Sequence, residues 1–474
     1  MMQLFGNSEK KALFLLYATS FCLRIIIFAA LAFTLGQNIF MLGDSVFYQD
    51  TARHLLAGNG FAITRPEGLA LTDFRPPGYS FLVAGSLALT GDVWLLMILQ
   101  IFLASAIPVL TYLLAKEVLS DRRSALLAAS VAIFEPLLVF FSFYLLSDTL
   151  FILFSLGAVI LALRFFREPT LGRAVGIGLL LGGAALLRAV GEYMILIIGA
   201  FVFWKIIKAD IGLRRRFIKY SAVGFILFLA LITPWILRNG YAFENPNISS
   251  EGPWALYFAY IPSLYSIDRN LSFPEARDLV KKHLVDKYGQ DIIAHRISPS
   301  LLLKESRLLL KAEKVSLLMK LQAINTFWFF THDIYAYHLD RIGVLSDRPP
   351  LFSPTFLVAT KGMRALPEIF SYIKSVYFIP ILGRVFWVLL SLGALVSMIV
   401  LAIRRPESRH AILFLLGIVL YHYAAGSLIG LRGEARIRMP IFPILFTFAS
   451  AAFFAVFDWL TTKVQKTSRP QGVL

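Results

Sequence analysis

Long apolar runs separated by short polar stretches dominate the chain. They lie near 12–35, 93–117, 124–143, 147–166, 173–189, 191–208, 217–237, 377–403, 410–430 and 439–460, each about 17 to 27 residues long. That is the length at which a helix crosses a hydrocarbon core of ~30 Å. A backbone in lipid must satisfy its own hydrogen bonds, and runs this long and this rich in Leu, Ile and Phe predict helices rather than barrel strands. The expected fold is therefore all-α, an integral membrane protein with about ten transmembrane helices. The first run is too long for a signal-peptide core and no small-residue cleavage site follows it, so it is expected to span.

The spacing of the runs divides the chain into an N-terminal membrane module (1–238), a non-cytoplasmic helical loop domain (239–376) and a C-terminal membrane module (377–474). The first outer loop, 36–92, predicts a short helix over Tyr48 to Leu56, ended by Gly58 and Gly60. After Pro76-Pro77-Gly78 comes an apolar stretch from Tyr79 to Leu89, too short to span and expected at the membrane interface. The second long loop predicts a charged helix near 274–290. From Leu301 to Ala323, Leu-rich turns alternate with Lys304, Lys311, Lys314 and Lys320, which suits either a membrane-surface helix or a core helix of a small outer domain. No internal repeat is visible.

Composition agrees with the pattern. The 474 residues are 58% hydrophobic and 16% charged, with 42 Phe, whereas globular chains carry roughly a quarter charged residues. The lone cysteine, Cys22, excludes an intrachain disulfide and a Cys/His metal cluster. The net charge of +17 invites a nucleic-acid reading, but the basic residues cluster in short loops between apolar runs, where they set orientation. Counted with the N-terminus inside, cytoplasmic segments hold twenty Lys and Arg and the shorter outer segments seven. Both termini are thus expected in the cytoplasm, with the long loops outside.

Ionisable residues at or inside the apolar zone are costly and are candidates for function. Several gather at the outward ends of the spans: Asp44 and Tyr48 after span one, Asp148 at the start of span four, Arg188 and Glu192 around the turn between spans five and six, and Glu434, Arg436 and Arg438 between the last two. Together they predict one polar cavity at the outer face. Each has a plainer explanation: Asp44 as a helix cap or loop acid, Asp148 as a helix cap, Arg188 with Glu192 as an i,i+4 pair. The outer turn with Arg432, Arg436 and Arg438 runs against the orientation bias and calls for an anion; forked guanidinium groups suit phosphate. Glu135, before Pro136, could pair with Arg188 or serve as a buried structural acid, and the latter is favoured. His332, Asp333, His338 and Asp340 are too loosely spaced to predict a metal site.

The order of these pieces resembles the polyprenol-dependent membrane glycosyltransferases of the GT-C superfamily, in particular glycosyltransferase family 39, with protein O-mannosyltransferases and lipid A aminoarabinose transferases among its relatives. The residues that carry the likeness are Asp44-x-x-x-Tyr48, Arg75-Pro76-Pro77-Gly78-Tyr79, Ser147-Asp148-Thr149, Gly182 through Arg188, and Gly433 through Pro440. This chain differs in having Asp44-Ser45 where relatives often have two acids, Arg188-Ala189 where they have a proline, and Ile437 where they have tyrosine.

The resemblance implies a polyprenyl phosphate sugar donor (undecaprenyl-type), an acceptor reached from the non-cytoplasmic side, and inversion at the anomeric carbon. It assigns the catalytic acid to Asp44. Arg436, Arg438, Arg75 and Arg188 are expected at the donor phosphate, with Tyr48, Asp148, Glu192 and Glu434 in support. The cofactor is unknown; a divalent metal ion, with Asp148 and Glu434 among its ligands, would suit some relatives. The acceptor would be lipid A, O-antigen, another glycan or a protein. A transporter or flippase of lipid-linked glycans would use the same arginines without cleaving the sugar–phosphate bond, though no paired Gly/Pro breaks mark spans four to six. A non-enzymatic scaffold leaves the arginine-rich turn without a purpose.

Overall fold

The computed structural model describes residues 6–289, 297–344, 362–367, 378–432 and 435–467. Their elements, in chain order, begin with α1 (Asn7–Leu35), α2 (Gly43–Leu56), the hairpin β1 (Ala62–Arg65) and β2 (Gly68–Leu71), and α3 (Gly78–Thr90). The membrane bundle continues through α4 (Trp94–Ala104), α5 (Ile107–Leu119), α6 (Arg122–Phe134), α7 (Pro136–Phe140), α8 (Asp148–Arg167), α9 (Leu171–Leu187), α10 (Met194–Lys208) and α11 (Ile211–Phe243). An outer helical segment holds α12 (Glu251–Ala255), α13 (Ile261–Arg269), α14 (Phe273–Tyr288), α15 (Pro299–Lys311), α16 (Val315–Thr331) and α17 (Tyr335–Arg341). The chain then returns to the bundle as α18 (Phe378–Arg404), α19 (Arg409–Ser427) and α20 (Phe442–Thr467).

Among the described residues, 8 helices are long and apolar enough to cross a membrane, and the protein is a multi-pass membrane protein of all-α class. Two of the ten expected spans differ. The segment 171–187 is helical but shorter than the rest. The segment 124–143 breaks at Glu135-Pro136, because proline lacks the N–H a helix interior needs and disfavours helical geometry in the residue before it. Glu135 takes an extended conformation and its carboxylate accepts from the N–H of Leu138 at 2.7 Å, starting α7 anew.

Close packing in the bundle relies on small residues where backbones approach. A Cβ at Gly178 of α9 would lie 2.2 Å from the carbonyl oxygen of Gly224 in α11, so the two helices touch through their main chains there. Helix α8 is buried along most of its length, from Asp148 to Phe166. The outer segment has its own small core around Tyr257, Ile261, Val280, Leu284 and Leu302.

The outer loops hold three features the sequence pattern does not announce. The β1/β2 hairpin pairs Ala62 with Leu71 through Arg65 with Gly68, where an outer loop had no predicted strand. The basic stretch predicted as one helical region over 301–323 is two helices, α15 and α16, parted before Val315. Residues 141–147 form a buried non-helical loop, tolerable only if its carbonyls find donors. Gln100 supplies them to Phe141, Ser142 and Tyr144 at 2.9 to 3.2 Å, and Ser45 supplies one to Leu145 at 2.9 Å.

Candidate active site

That buried loop positions the site. Ser45 docks the start of α2 against it, Tyr48 shares a hydrogen bond of 3.1 Å with Ser147, and the Tyr48 ring packs edge-on to Tyr79, whose hydroxyl donates to Gln100 at 2.9 Å. Asp44, in the first turn of α2, is thereby held in place with its side chain partly exposed. Its Oδ1 accepts from Arg75 Nη2 at 2.8 Å and its Oδ2 from Arg436 Nη2 at 2.5 Å. Three distant stretches of chain therefore converge on one carboxylate. Burial pushes the Asp44 carboxyl up, but the nearby guanidinium groups of Arg436 and Arg75, the hydrogen bond from Arg436, and Arg188 farther off outweigh it and hold the group down at about 2. With its side chain 23% exposed, Asp44 is reachable and fully ionised at neutral pH.

Arg75 is fixed from several sides. Its guanidinium lies 5.5 to 5.9 Å from the ring centres of Phe47, Tyr48 and Phe74, contacts that favour a cation over an aromatic face. Its Nη1 reaches Glu251 Oε1 at 3.4 Å. Glu251 is delivered by the segment after α11: Asn245 and Ser250 donate to the Asp73 carboxylate at 2.8 and 3.0 Å, and Ser249 donates to the Phe74 carbonyl at 2.6 Å. The sequence reading missed Glu251, which stands in a Pro/Gly/Asn-rich loop with no motif around it.

The other expected residues divide. Arg188 pairs with Asp148 rather than with Glu192 or Glu135, and Asp148 contributes no side-chain cap to α8. This pair adjoins the cluster, since Arg188 is felt electrostatically at Asp44. Glu192 instead faces the N–H of Ile248. Glu135 accepts from the Tyr335 hydroxyl at 2.9 Å, the structural role. Arg438 is a departure: it is fully buried, donates to the carbonyls of Phe329 and His332 at 2.5 and 2.8 Å, and stacks 3.9 Å over Trp387. These commitments place it in the join between α16 and α20, not in the cluster at Asp44. Glu434 lies outside the described residues.

Of the two expected metal ligands, Asp148 is among the described residues and Glu434 is not. Among the described residues no group of three or more His, Cys, Asp or Glu side chains converges. Both oxygens of Asp44 and one of Asp148 already face guanidinium groups, a cationic surrounding that does not fit a divalent ion. His332 stacks on Trp328, Asp333 faces Arg384 at 3.8 Å and His338 bonds to the Tyr144 hydroxyl at 2.7 Å. Each of these side chains is committed to a different partner.

Residues 66–243 match the family described as dolichyl-phosphate-mannose-protein mannosyltransferase. Among solved structures, the apo oligosaccharyltransferase of Archaeoglobus fulgidus superposes with a TM-score of 0.53 at 16% identity, over 98% of this chain and 52% of that one. ArnT from Cupriavidus metallidurans bound to undecaprenyl phosphate gives 0.36 at 15% identity, over 95% and 82%. The chain thus spans about half the length of that archaeal structure. Curated proteins gave no sequence match.

Proposed function

We propose that this protein is an inverting glycosyltransferase that moves a sugar from a polyprenyl phosphate carrier to a cell-envelope acceptor at the non-cytoplasmic face of a prokaryotic inner membrane. The observation that carries the reading is the Arg75–Asp44–Arg436 cluster, an anion-binding pair beside a partly exposed carboxylate at one end of a membrane bundle. The family matched over residues 66–243 supports a lipid-linked sugar donor.

In the reaction, an acceptor hydroxyl loses its proton to Asp44 as its oxygen bonds to the anomeric carbon. The bond from that carbon to the phosphate oxygen breaks on the opposite face, and its electron pair leaves with the polyprenyl phosphate. Arg75 and Arg436 stabilise that growing charge. While clamped, Asp44 is a weak base. A donor phosphate competes for the same N–H groups, and each bond the carboxylate gives up raises its proton affinity toward the range useful for general-base work. The arginines thus couple donor binding to base strength. Tyr48 and the Asp148–Arg188 pair hold the walls of the site, and no step passes through a metal ion.

Incubating the purified protein with a panel of polyprenyl phosphate sugars and candidate acceptors should give sugar transfer with release of polyprenyl phosphate, and Asp44→Asn should abolish it. Full activity in that variant removes Asp44 from the mechanism. Passage of intact lipid-linked sugar across vesicles, with no cleavage of the sugar–phosphate bond, replaces the enzyme by the flippase.

A further inference from the structure

Helices α8 to α11 line a partly open groove of about 460 Å³ that runs along α10 from Ile195 to Ile206, within the ~300–1,000 Å³ typical of small-molecule sites. Its walls are apolar: Phe165 and Ile177 from α8 and α9, Ile198, Val202 and Ile206 from α10, and Phe225 from α11. The Ser221 hydroxyl also lines it and has no hydrogen-bond partner. Gly199 keeps the space open, since a Cβ there would meet nothing within 4 Å. The mouth is cationic. Arg214 donates to the carbonyls of Ile206, a wall residue, and Ala209, at 3.2 and 3.3 Å. Residues 205–219 hold six basic side chains against one acid, Asp210, which is engaged in capping α11.

We propose that this groove binds one chain of an anionic phospholipid whose headgroup sits against Arg214, Arg215 and Arg216. An orientation signal needs only the charges; it does not need an apolar groove beside them. The groove alone would take any lipid tail, and the arginines select a negative headgroup. The Arg214 end of the groove is separate from the donor cluster, because Phe165 lies at the end of α8 opposite Asp148 and Ala174 and Ile177 lie toward the end of α9 opposite Arg188.

Protein reconstituted in nanodiscs of mixed phosphatidylglycerol and phosphatidylcholine, then released for native mass spectrometry, reads the site directly. Wild type should retain one phosphatidylglycerol in preference to phosphatidylcholine, by on the order of fivefold for each arginine that meets the headgroup. Gly199→Phe, which fills the groove, should lose the retained lipid. The triple variant Arg214→Gln, Arg215→Gln, Arg216→Gln should keep a lipid without headgroup preference. It alters only the surface and serves if Gly199→Phe fails to fold. Equal retention of the two lipids by wild type, or an undiminished preference in the triple variant, overturns the proposal.

Discussion

Asp44 is ionised where most of its water has been removed, and the reason is two guanidinium groups brought from residues 75 and 436. Glu251 shares Arg75 more loosely, at 3.4 Å and 33% exposed, so two carboxylates face the site and only Asp44 is clamped from both sides. Glu251→Gln should therefore leave transfer intact while raising the acceptor KM roughly tenfold, the scale of one lost charge-assisted hydrogen bond, as steady-state kinetics would show. A collapse of kcat to background in that variant would make Glu251 the base instead. At this scale the sequence is legible where cost is high: an acid and several arginines at the ends of apolar runs need a reason to be there. It is silent on Glu251, because the contacts of Asn245, Ser249 and Ser250 that deliver it depend on how the loop threads. It also misplaces Arg438, whose partners are backbone carbonyls that no motif reveals.

Between the residues and the bundle stand the elements that aim them. Gly78, three positions after Arg75, abuts α9 so closely that a Cβ would lie 2.7 Å from the carbonyl oxygen of Leu186, two residues before Arg188. Gly78→Ala should push α3 from α9, spread Arg75 from Arg188, and cost about 1–3 kcal/mol in overpacking. Transfer should fall more than thermal stability, and unchanged activity would show that this spacing is not critical. In the outer segment, the fully buried Glu305 of α15 accepts from Lys287 at 2.9 Å, Tyr288 at 2.7 Å and His283 at 3.1 Å. Burial pushes its carboxyl up, yet these bonds hold it down at about 2. Because the folded value lies below the unfolded one, its contribution is complete above the ordinary glutamate range near pH 4.5 and is lost as pH falls toward 2. Hydrogen exchange should then show α14 and α15 opening as pH drops below about 4, a change that Glu305→Gln removes. Helix existence was legible through apolar length, and the break at Glu135-Pro136 follows from proline chemistry. The hairpin was not, since its strands are four residues each, and neither was the buried loop at 141–147, whose carbonyls are satisfied by Gln100 and Ser45 from distant parts of the chain.

For the whole molecule, one polar cluster at one end of a membrane bundle gathers side chains from the start of α2, the loop before α3, the start of α12 and the turn before α20. Apolar run length gave the fold class, and the basic bias predicts which side the cluster faces. The convergence of residues 44, 75, 251 and 436 is a property of the assembled bundle that spacing alone does not encode. The most direct test is the affinity of the purified protein for a sugar-free polyprenyl phosphate, compared across Asp44→Asn, Arg75→Gln and Arg436→Gln. Asp44 competes with phosphate for the same N–H groups, so Asp44→Asn should bind at least as tightly as wild type, while each arginine variant should bind about 10- to 100-fold more weakly. Wild-type affinity in both arginine variants, or weakened binding in Asp44→Asn, would contradict it.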